Sequence, residues 1–129
     1  MQTTVGDDPT TAETLATIER FNTAFNAHDV DAIMDLMTDD CVFEGTGPAP
    51  DGARVVGQAA VRAVWDDLFR SSPRAQFDAE DLFAAGDRCT VCWVYRFDRD
   101  DPDAGHIRGG DVFRVRDGKV AEKFAYVKG

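Results

Sequence analysis

Residues 106–127 read HIRGGDVFRVRDGKVAEKFAYV and carry the clearest pattern in the chain. From His106 to Arg116, mostly charged side chains alternate with mostly apolar ones, which is the period of a β-strand with one buried face. Asp117-Gly118 is a strong hairpin signal, and Val120 to Val127 continues as a second strand. This segment therefore predicts an antiparallel strand pair.

The same alternation extends upstream and predicts two more strands, at Ala75 to Ala84 and at Cys89 to Phe97. Gly86 and Asp87 provide the turn between them, and a polar loop from Asp98 to Gly105 leads into the strand at His106. The second half of the chain is therefore predicted to form an antiparallel sheet.

The first half of the chain has a helical period instead. A first amphipathic helix is predicted to begin near Asp8 or Thr10 and to end at residues 26–28, since one apolar stripe recurs at steps of three and four residues: Leu15, Ile18, Phe21 and Phe25. Asp29 is placed to cap a short second helix, and a third helix is predicted from Gly57 to about Ser71.

The segment between the second and third helices is predicted to contain a short strand at residues 41–43 and an irregular loop at residues 45–52. Helices followed by sheet predict an α+β fold, and the absence of a linker predicts one domain over residues 1–129. Residues 1–8 are predicted to be a flexible N-terminal tail. A sheet that curls around helices leaves a pocket between the two layers, where small-molecule sites commonly lie.

Composition excludes several function classes. The formal net charge is −10, which argues against nucleic acid and anionic membrane surfaces as partners, because both need a positive footprint. No apolar run could span a membrane and the N-terminus has no secretory pattern, so a cytoplasmic location is expected. Cys89 and Cys92 lie three apart on a predicted strand and face opposite ways, so neither a disulfide nor a metal site is expected there.

Asp111 breaks the pattern of its strand. It shares the otherwise apolar face with Ile107, Gly109, Phe113 and Val115. Burial raises the pKa of a carboxyl group unless a cation or hydrogen-bond donors offset it, and an acid with a raised pKa suits general acid–base chemistry near neutral pH. The alternative is a structural carboxylate that lies at a sheet edge or pairs with a core cation.

Lys123 is a possible partner for Asp111. If the hairpin has a three-residue loop with a bulge, Lys123 faces the same side as Asp111; with a two-residue loop, Phe124 takes that place. Arg96 shares a strand face with Cys92 and Val94 and either lines the mouth of the pocket or is a solvated residue at a strand end.

Several runs resemble nuclear-transport-factor-2-like domains, and within that superfamily the SnoaL-like and ketosteroid-isomerase-like branch. The resemblance covers nearly the whole chain after Thr10 and is carried by FNAHDVDAIM at residues 25–34, TDDCVFE at 38–44, GQAAVR at 57–62, DVFRV at 111–115 and DGKV at 117–120. It implies a cone-shaped, curved antiparallel sheet wrapped around three helices, with a deep pocket, commonly as a homodimer through the outer sheet face.

The resemblance also implies roles for individual residues. Asp111 matches the acid/base aspartate of SnoaL-type polyketide cyclases, and the oxyanion-stabilising aspartate of ketosteroid isomerases holds the same position. The isomerases' general base falls at Gly45 and their catalytic tyrosine at Phe21, neither of which can transfer a proton. Lys123 falls where they have an apolar pocket residue. These departures argue against true ketosteroid isomerase activity.

Two hypotheses follow. In the first, the protein is a cofactor-free enzyme of proton transfer, of cyclase, isomerase or dehydratase type, and Asp111 acts on a mostly apolar, oxygenated small molecule. The pocket would then be lined by Phe21, Phe25, Met34, Trp65, Cys92, Val94, Arg96, Phe113, Lys123 and Ala125. In the second, the domain is a non-catalytic ligand-binding or dimerisation module, Asp111 is fully paired with Lys123 or Arg96, and the pocket is small or plugged.

Overall fold

A computed structural model describes all residues from Met1 to Gly129. Three helices pack on one face of a curved, seven-stranded sheet, which confirms the predicted α+β architecture. The helices are α1 (Pro9–Asn26), α2 (Val30–Asp35) and α3 (Gln58–Ser71). The strands are β1 (Gln2–Val5), β2 (Met37–Glu44), β3 (Arg54–Val56), β4 (Gln76–Ala85), β5 (Arg88–Arg96), β6 (His106–Arg116) and β7 (Lys119–Val127).

The strand order is β1-β4-β5-β6-β7-β2-β3, so the sheet does not close. The pairs within β4-β5-β6-β7 and the β2–β3 pair are antiparallel, whereas β1 runs parallel to β4 and β2 runs parallel to β7. The sheet is therefore mixed and not antiparallel throughout. The tail predicted at residues 1–8 instead contains β1, whose four side chains are all exposed.

Local sequence explains where the helices begin. Asp8 caps α1 by accepting a hydrogen bond from the Thr11 backbone N–H at 2.9 Å, and Asp29 caps α2 through the Ala32 N–H at 3.1 Å. The start of α3 is held differently: the Gln58 side chain donates to the backbone carbonyls of Met34 in α2 and of Met37 and Thr38 in β2.

Hydrogen bonds connect both ends of α1 to the sheet. Thr14 Oγ1 donates to the Gly86 carbonyl, and the Gly86 N–H donates to Thr11 Oγ1, each at 2.7 Å. At the other end, the Asn26 side chain bonds both the N–H and the carbonyl of Phe77. The core lies between the helices and the inner sheet face, and its largest fully buried side chains are Trp65, Phe21, Phe113, Ile18 and Ile33. None of the helices combines the length and the hydropathy that a membrane-spanning segment needs.

Candidate active site

Asp111 lies on the inner face of β6, near the middle of the sheet. Its register partners are Val91 on β5 and Ala125 on β7, so apolar side chains flank the carboxyl group on both sides. Only 6% of the residue is exposed. The carboxyl group is therefore held by backbone pairing inside the protein, facing the helices.

Lys123 on β7 faces the same side. Its Nζ lies 3.1 Å from Asp111 Oδ1, and its side chain is 7% exposed. The hairpin turn itself has only two residues, Asp117 and Gly118, both with positive φ, as a type I′ turn requires. The register then shifts by one residue, because Val115 pairs with Val120 but Arg114 pairs with Glu122.

Ala121 is the extra residue of this β-bulge. The prediction that a two-residue loop would bring Phe124 beside Asp111 is therefore wrong, since the bulge beyond the turn restores Lys123 to the inner face. Phe124 pairs with Val112 and faces the other side of the sheet.

The Lys123 ammonium is surrounded by aromatic rings. Its Nζ lies 5.2 Å from the centroid of Phe25, 5.1 Å from that of Phe43, 5.4 Å from that of Trp65 and 5.9 Å from that of Phe113. At such distances ring quadrupoles attract a cation, with about 0.5–2 kcal/mol per favourable contact. The rings and the Asp111 carboxyl together replace the water that this ammonium has lost.

Burial raises the pKa of the Asp111 carboxyl above its ordinary value of 3.8, because the charged form loses solvation. The charge of Lys123, its N–H groups and the indole N–H of Trp93 oppose this shift without cancelling it. Trp93 Nε1 nevertheless has no well-aligned hydrogen-bond acceptor, and Asp111 Oδ1 has only the charged contact with Lys123. Buried polar atoms normally have partners, so these two are available to a bound molecule.

Asp111 and Lys123 line a cavity of about 330 Å³ between the sheet and α3. Its walls are mostly apolar and also include Phe25, Phe43, Val64, Trp65, Leu68, Phe77, Trp93, Tyr95, Ile107 and Ala125, with residues 45–47 at one side. A smaller cavity of about 60 Å³ toward α1 includes Phe21 and Asn22 and again has Asp111 and Lys123 in its wall. The charged pair therefore lies between two cavities.

The structure brings some of the predicted pocket residues together at this site. Asp111, Phe25, Trp65, Lys123 and Ala125 line the larger cavity, and Phe21 lines the smaller one. Met34 and Phe113 are instead buried in the core, where Phe113 packs edge-on against Phe21.

Cys92, Val94 and Arg96 do not belong to the cavity, and their predicted place in its wall is wrong. They alternate with Val91, Trp93 and Tyr95, which face inward, so they lie on the outer face of β5. Arg96 Nε donates to Asp78 Oδ2 at 2.6 Å. Of the two predictions for Arg96, the structure therefore supports a partly solvated residue at a strand end and not one at the mouth of the pocket.

The cavity walls also contain aromatic residues that the sequence did not reveal as site residues. Phe77 on β4 contacts Phe25, Trp93 and Tyr95 with ring centroids 4.6–5.4 Å apart. Trp93 lies over Gly109 on the neighbouring strand, where an added Cβ would be only 2.7 Å from the Trp93 ring. The sequence signal that could have identified these residues is the alternation of side chains along β5. If Trp93 and Tyr95 are placed on the inner face, they become part of the cavity wall.

Comparison with known proteins agrees with this architecture. Residues 18–123 match the SnoaL-like domain. The chain belongs to the SnoaL-like family. An NTF2-like protein of unknown function from Mesorhizobium loti is 38% identical to this SnoaL-like protein, with 100% of each chain covered and a TM-score of 0.82. No curated protein matches it significantly.

Two more distant structures share only the fold. A provisionally assigned polyketide cyclase from Sinorhizobium meliloti is 20% identical, with 86% of this chain and 94% of that chain covered and a TM-score of 0.72. A provisionally assigned ketosteroid isomerase from Kribbella flavida is 18% identical, with 92% and 79% covered and a TM-score of 0.74. Other neighbours of similar TM-score are described as having a cystatin-like fold.

Proposed function

We propose that this SnoaL-like protein is a cofactor-free enzyme of proton transfer, with Asp111 as the acid/base and a mostly apolar, oxygenated small molecule as substrate. The observation that carries this proposal is a buried carboxyl group, paired only with Lys123, at the wall of an apolar cavity of about 330 Å³. Cyclisation, isomerisation and dehydration each need little more than one positioned acid/base, and the fold alone does not choose between them.

The cavity supports the substrate class. Its aromatic and aliphatic walls favour a flat, mostly apolar ligand. Trp93 Nε1 has no hydrogen-bond partner, and the charges of Asp111 and Lys123 have only each other, so a polar atom on the ligand would add partners in a dry site. An oxygen substituent near the reacting carbon meets both requirements.

The residues at the two other ketosteroid-isomerase positions support a different reaction from that of the isomerases. Phe21 is fully buried and stacks on Phe25, and it has no proton to donate. Gly45 lies at the side of the larger cavity and also has no titratable group. Asp111 is therefore the one carboxyl group in either cavity that can exchange a proton with a ligand.

The test is the exchange of α-protons of enolisable bicyclic ketones such as 2-tetralone and 1-indanone, followed by NMR in deuterated buffer. The wild-type protein should accelerate exchange, and Asp111→Asn should lower the rate by about 10²- to 10⁴-fold, since that is the usual contribution of a positioned acid/base. Asp78→Asn is the matched control, because Asp78 also pairs with a basic residue but lies on the outer sheet face.

The proposal fails if the folded wild-type protein does not accelerate exchange for any ketone of the panel, or if Asp111→Asn exchanges protons as fast as the wild type. Circular dichroism and thermal unfolding of each variant show whether its fold is intact.

A non-catalytic binding module is the second candidate, and the Lys123–Asp111 ion pair favours it. In that case the pair is structural and the cavity binds a ligand without changing it. Two observations weigh toward catalysis: the cavity is open, and burial keeps the pKa of Asp111 raised despite Lys123. Under the binding hypothesis, the ketones bind the protein but their α-protons exchange no faster than in buffer.

A further inference from the structure

The proposed proton transfer assigns no chemistry of its own to Lys123, although this residue is unusual among the lysines of the chain. The sequence contains only three, Lys119, Lys123 and Lys128. Lys119 and Lys128 are exposed, whereas Lys123 is 6% exposed and lines both cavities. A buried amine in an apolar pocket is the setting in which lysine acts as a nucleophile toward carbonyl compounds.

Asp111 gives this amine a proton acceptor and donor at 3.1 Å. A buried lysine–aspartate pair can exist as ammonium and carboxylate or as free amine and carboxylic acid, and the two forms have the same net charge. Loss of solvation disfavours the charged form of Asp111. The uncharged form has both a nucleophile and a general acid directed at the same cavity.

We propose that Lys123 forms a Schiff base with the carbonyl group of an apolar ketone or aldehyde bound in the larger cavity. The nitrogen lone pair attacks the carbonyl carbon, and the carbonyl oxygen takes the proton of the Asp111 carboxyl group. Asp111 then takes one proton from the nitrogen and returns it to the hydroxyl group, which leaves as water. The products are an iminium ion on Lys123, one water molecule and the Asp111 carboxylate.

The surroundings of Lys123 suit this product. An iminium nitrogen carries the positive charge at the place of the ammonium, so the four rings and the Asp111 carboxylate stabilise it in the same way. An iminium ion also acidifies the neighbouring carbon, next to which the Asp111 carboxylate then lies. This last step rests on the proposed function of Asp111, whereas formation of the Schiff base does not.

The experiment is reductive trapping on the full-length protein. The protein is incubated with 2-naphthaldehyde, 2-tetralone or cyclohexanone in the presence of sodium cyanoborohydride, and the adduct is located by intact mass and peptide mapping. Lys123 should carry the reduced adduct at least about tenfold more than the two exposed lysines, as selective activation of one amine requires. An excess of naphthalene, which should compete for the apolar cavity but has no carbonyl group, should suppress labelling of Lys123 only.

Three variants sharpen the result. Lys123→Arg keeps the positive charge but has no reactive amine, so labelling at this position should disappear while the exposed lysines react as before. Lys123→Met is the second variant in case the larger guanidinium disturbs the fold. Lys119→Arg removes an exposed amine on the same strand and should leave labelling of Lys123 unchanged.

The proposal is overturned if none of the three carbonyl compounds labels Lys123 in the wild-type protein, or if all three lysines are labelled alike. Its failure is distinguishable from that of the proposed function. Loss of ketone exchange in Asp111→Asn without any adduct on Lys123 retains the acid/base role and removes the Schiff base. An adduct on Lys123 together with unchanged exchange in Asp111→Asn retains the Schiff base and removes the acid/base role of Asp111.

Discussion

At the scale of single residues, the Asp111 carboxyl group must be considered together with its ion-pair partner Lys123. Burial is the largest influence on the Asp111 carboxyl group and raises its pKa, and the charge of Lys123 is the largest influence in the opposite direction. No basic residue other than Lys123 lines either cavity. Lys123 is therefore the one charged neighbour that lowers the pKa of Asp111 against the effect of burial.

Removing the charge of Lys123 should raise the pKa of Asp111 further. In Lys123→Met, burial is retained and the opposing charge is lost, so the carboxyl group should stay protonated to a higher pH than in the wild type. The measurement is a ¹³C NMR titration of the aspartate carboxyl carbons, with the Asp111 signal assigned by its absence in Asp111→Asn. Lys119→Met, at the exposed hairpin turn, is the control and should leave this titration unchanged. A midpoint that is unchanged or lower in Lys123→Met would contradict the electrostatic coupling of the pair.

At the scale of secondary structure elements, the sequence predicted those parts that local chemistry specifies. The cap at Asp29 and the Asp117-Gly118 turn formed at the predicted residues, because each depends on neighbours within a few positions. Helix α1 begins at the first of its two predicted starts, with Asp8 as its cap. Strands β1 and β3 were missed. They are only four and three residues long and have no buried alternation, so tertiary pairing alone defines them.

The lining of the site was harder to predict for two physical reasons. The bulge at Ala121 changes which side chains of β7 face inward, and no glycine or other local signal marks it. On β5 both faces are partly apolar, since Val94 is buried on the outer face while Trp93 is buried on the inner one. The alternation of polar and apolar side chains therefore identified the inner face of β6, on which Asp111 lies. On β5 it could not show that Val94 faces away from the cavity.

Gly109 on β6 leaves room for the Trp93 ring, which forms part of the cavity wall. A Cβ on Gly109 would lie 2.3 Å from the Tyr126 carbonyl oxygen and 2.7 Å from the Trp93 ring, so Gly109→Ala should displace the strand and the indole together. We expect a loss of about 1–3 kcal/mol in the free energy of unfolding, as is usual for overpacking, and a change in tryptophan fluorescence. Chemical denaturation measures the first quantity.

Gly110→Ala is the matched control, because the nearest atom to its added Cβ would be the Val91 carbonyl oxygen at 3.3 Å, on the outer face. The Gly110 variant should lose less stability and keep its fluorescence spectrum. Equal effects of the two substitutions would show that Gly109 has no special role in seating Trp93.

At the scale of the whole molecule, the outer face of the sheet combines apolar side chains with charges that neutralise one another. Arg108 pairs with Glu80 and Arg114 with Asp87, so these charges on the outer face neutralise one another. Tyr126 is 58% exposed beside Gly110 at the centre of this face. A second copy of the chain could therefore approach here without strong repulsion, and the homodimer implied by the family resemblance remains a prediction.

The expected oligomer is a dimer formed through this outer face. Light scattering coupled to size-exclusion chromatography should give twice the mass of the chain for the wild type. Tyr126→Glu should shift the protein toward the monomer, because it places an unpaired carboxylate in an apolar contact. Val56→Glu is the control, since Val56 is also 58% exposed but lies on the edge strand β3, away from this face. A monomeric wild type, or equal dissociation by both substitutions, would contradict an interface at Tyr126. Because Asp111 and Lys123 face the opposite side of the sheet, ketone exchange and labelling of Lys123 should be the same in monomeric and dimeric protein.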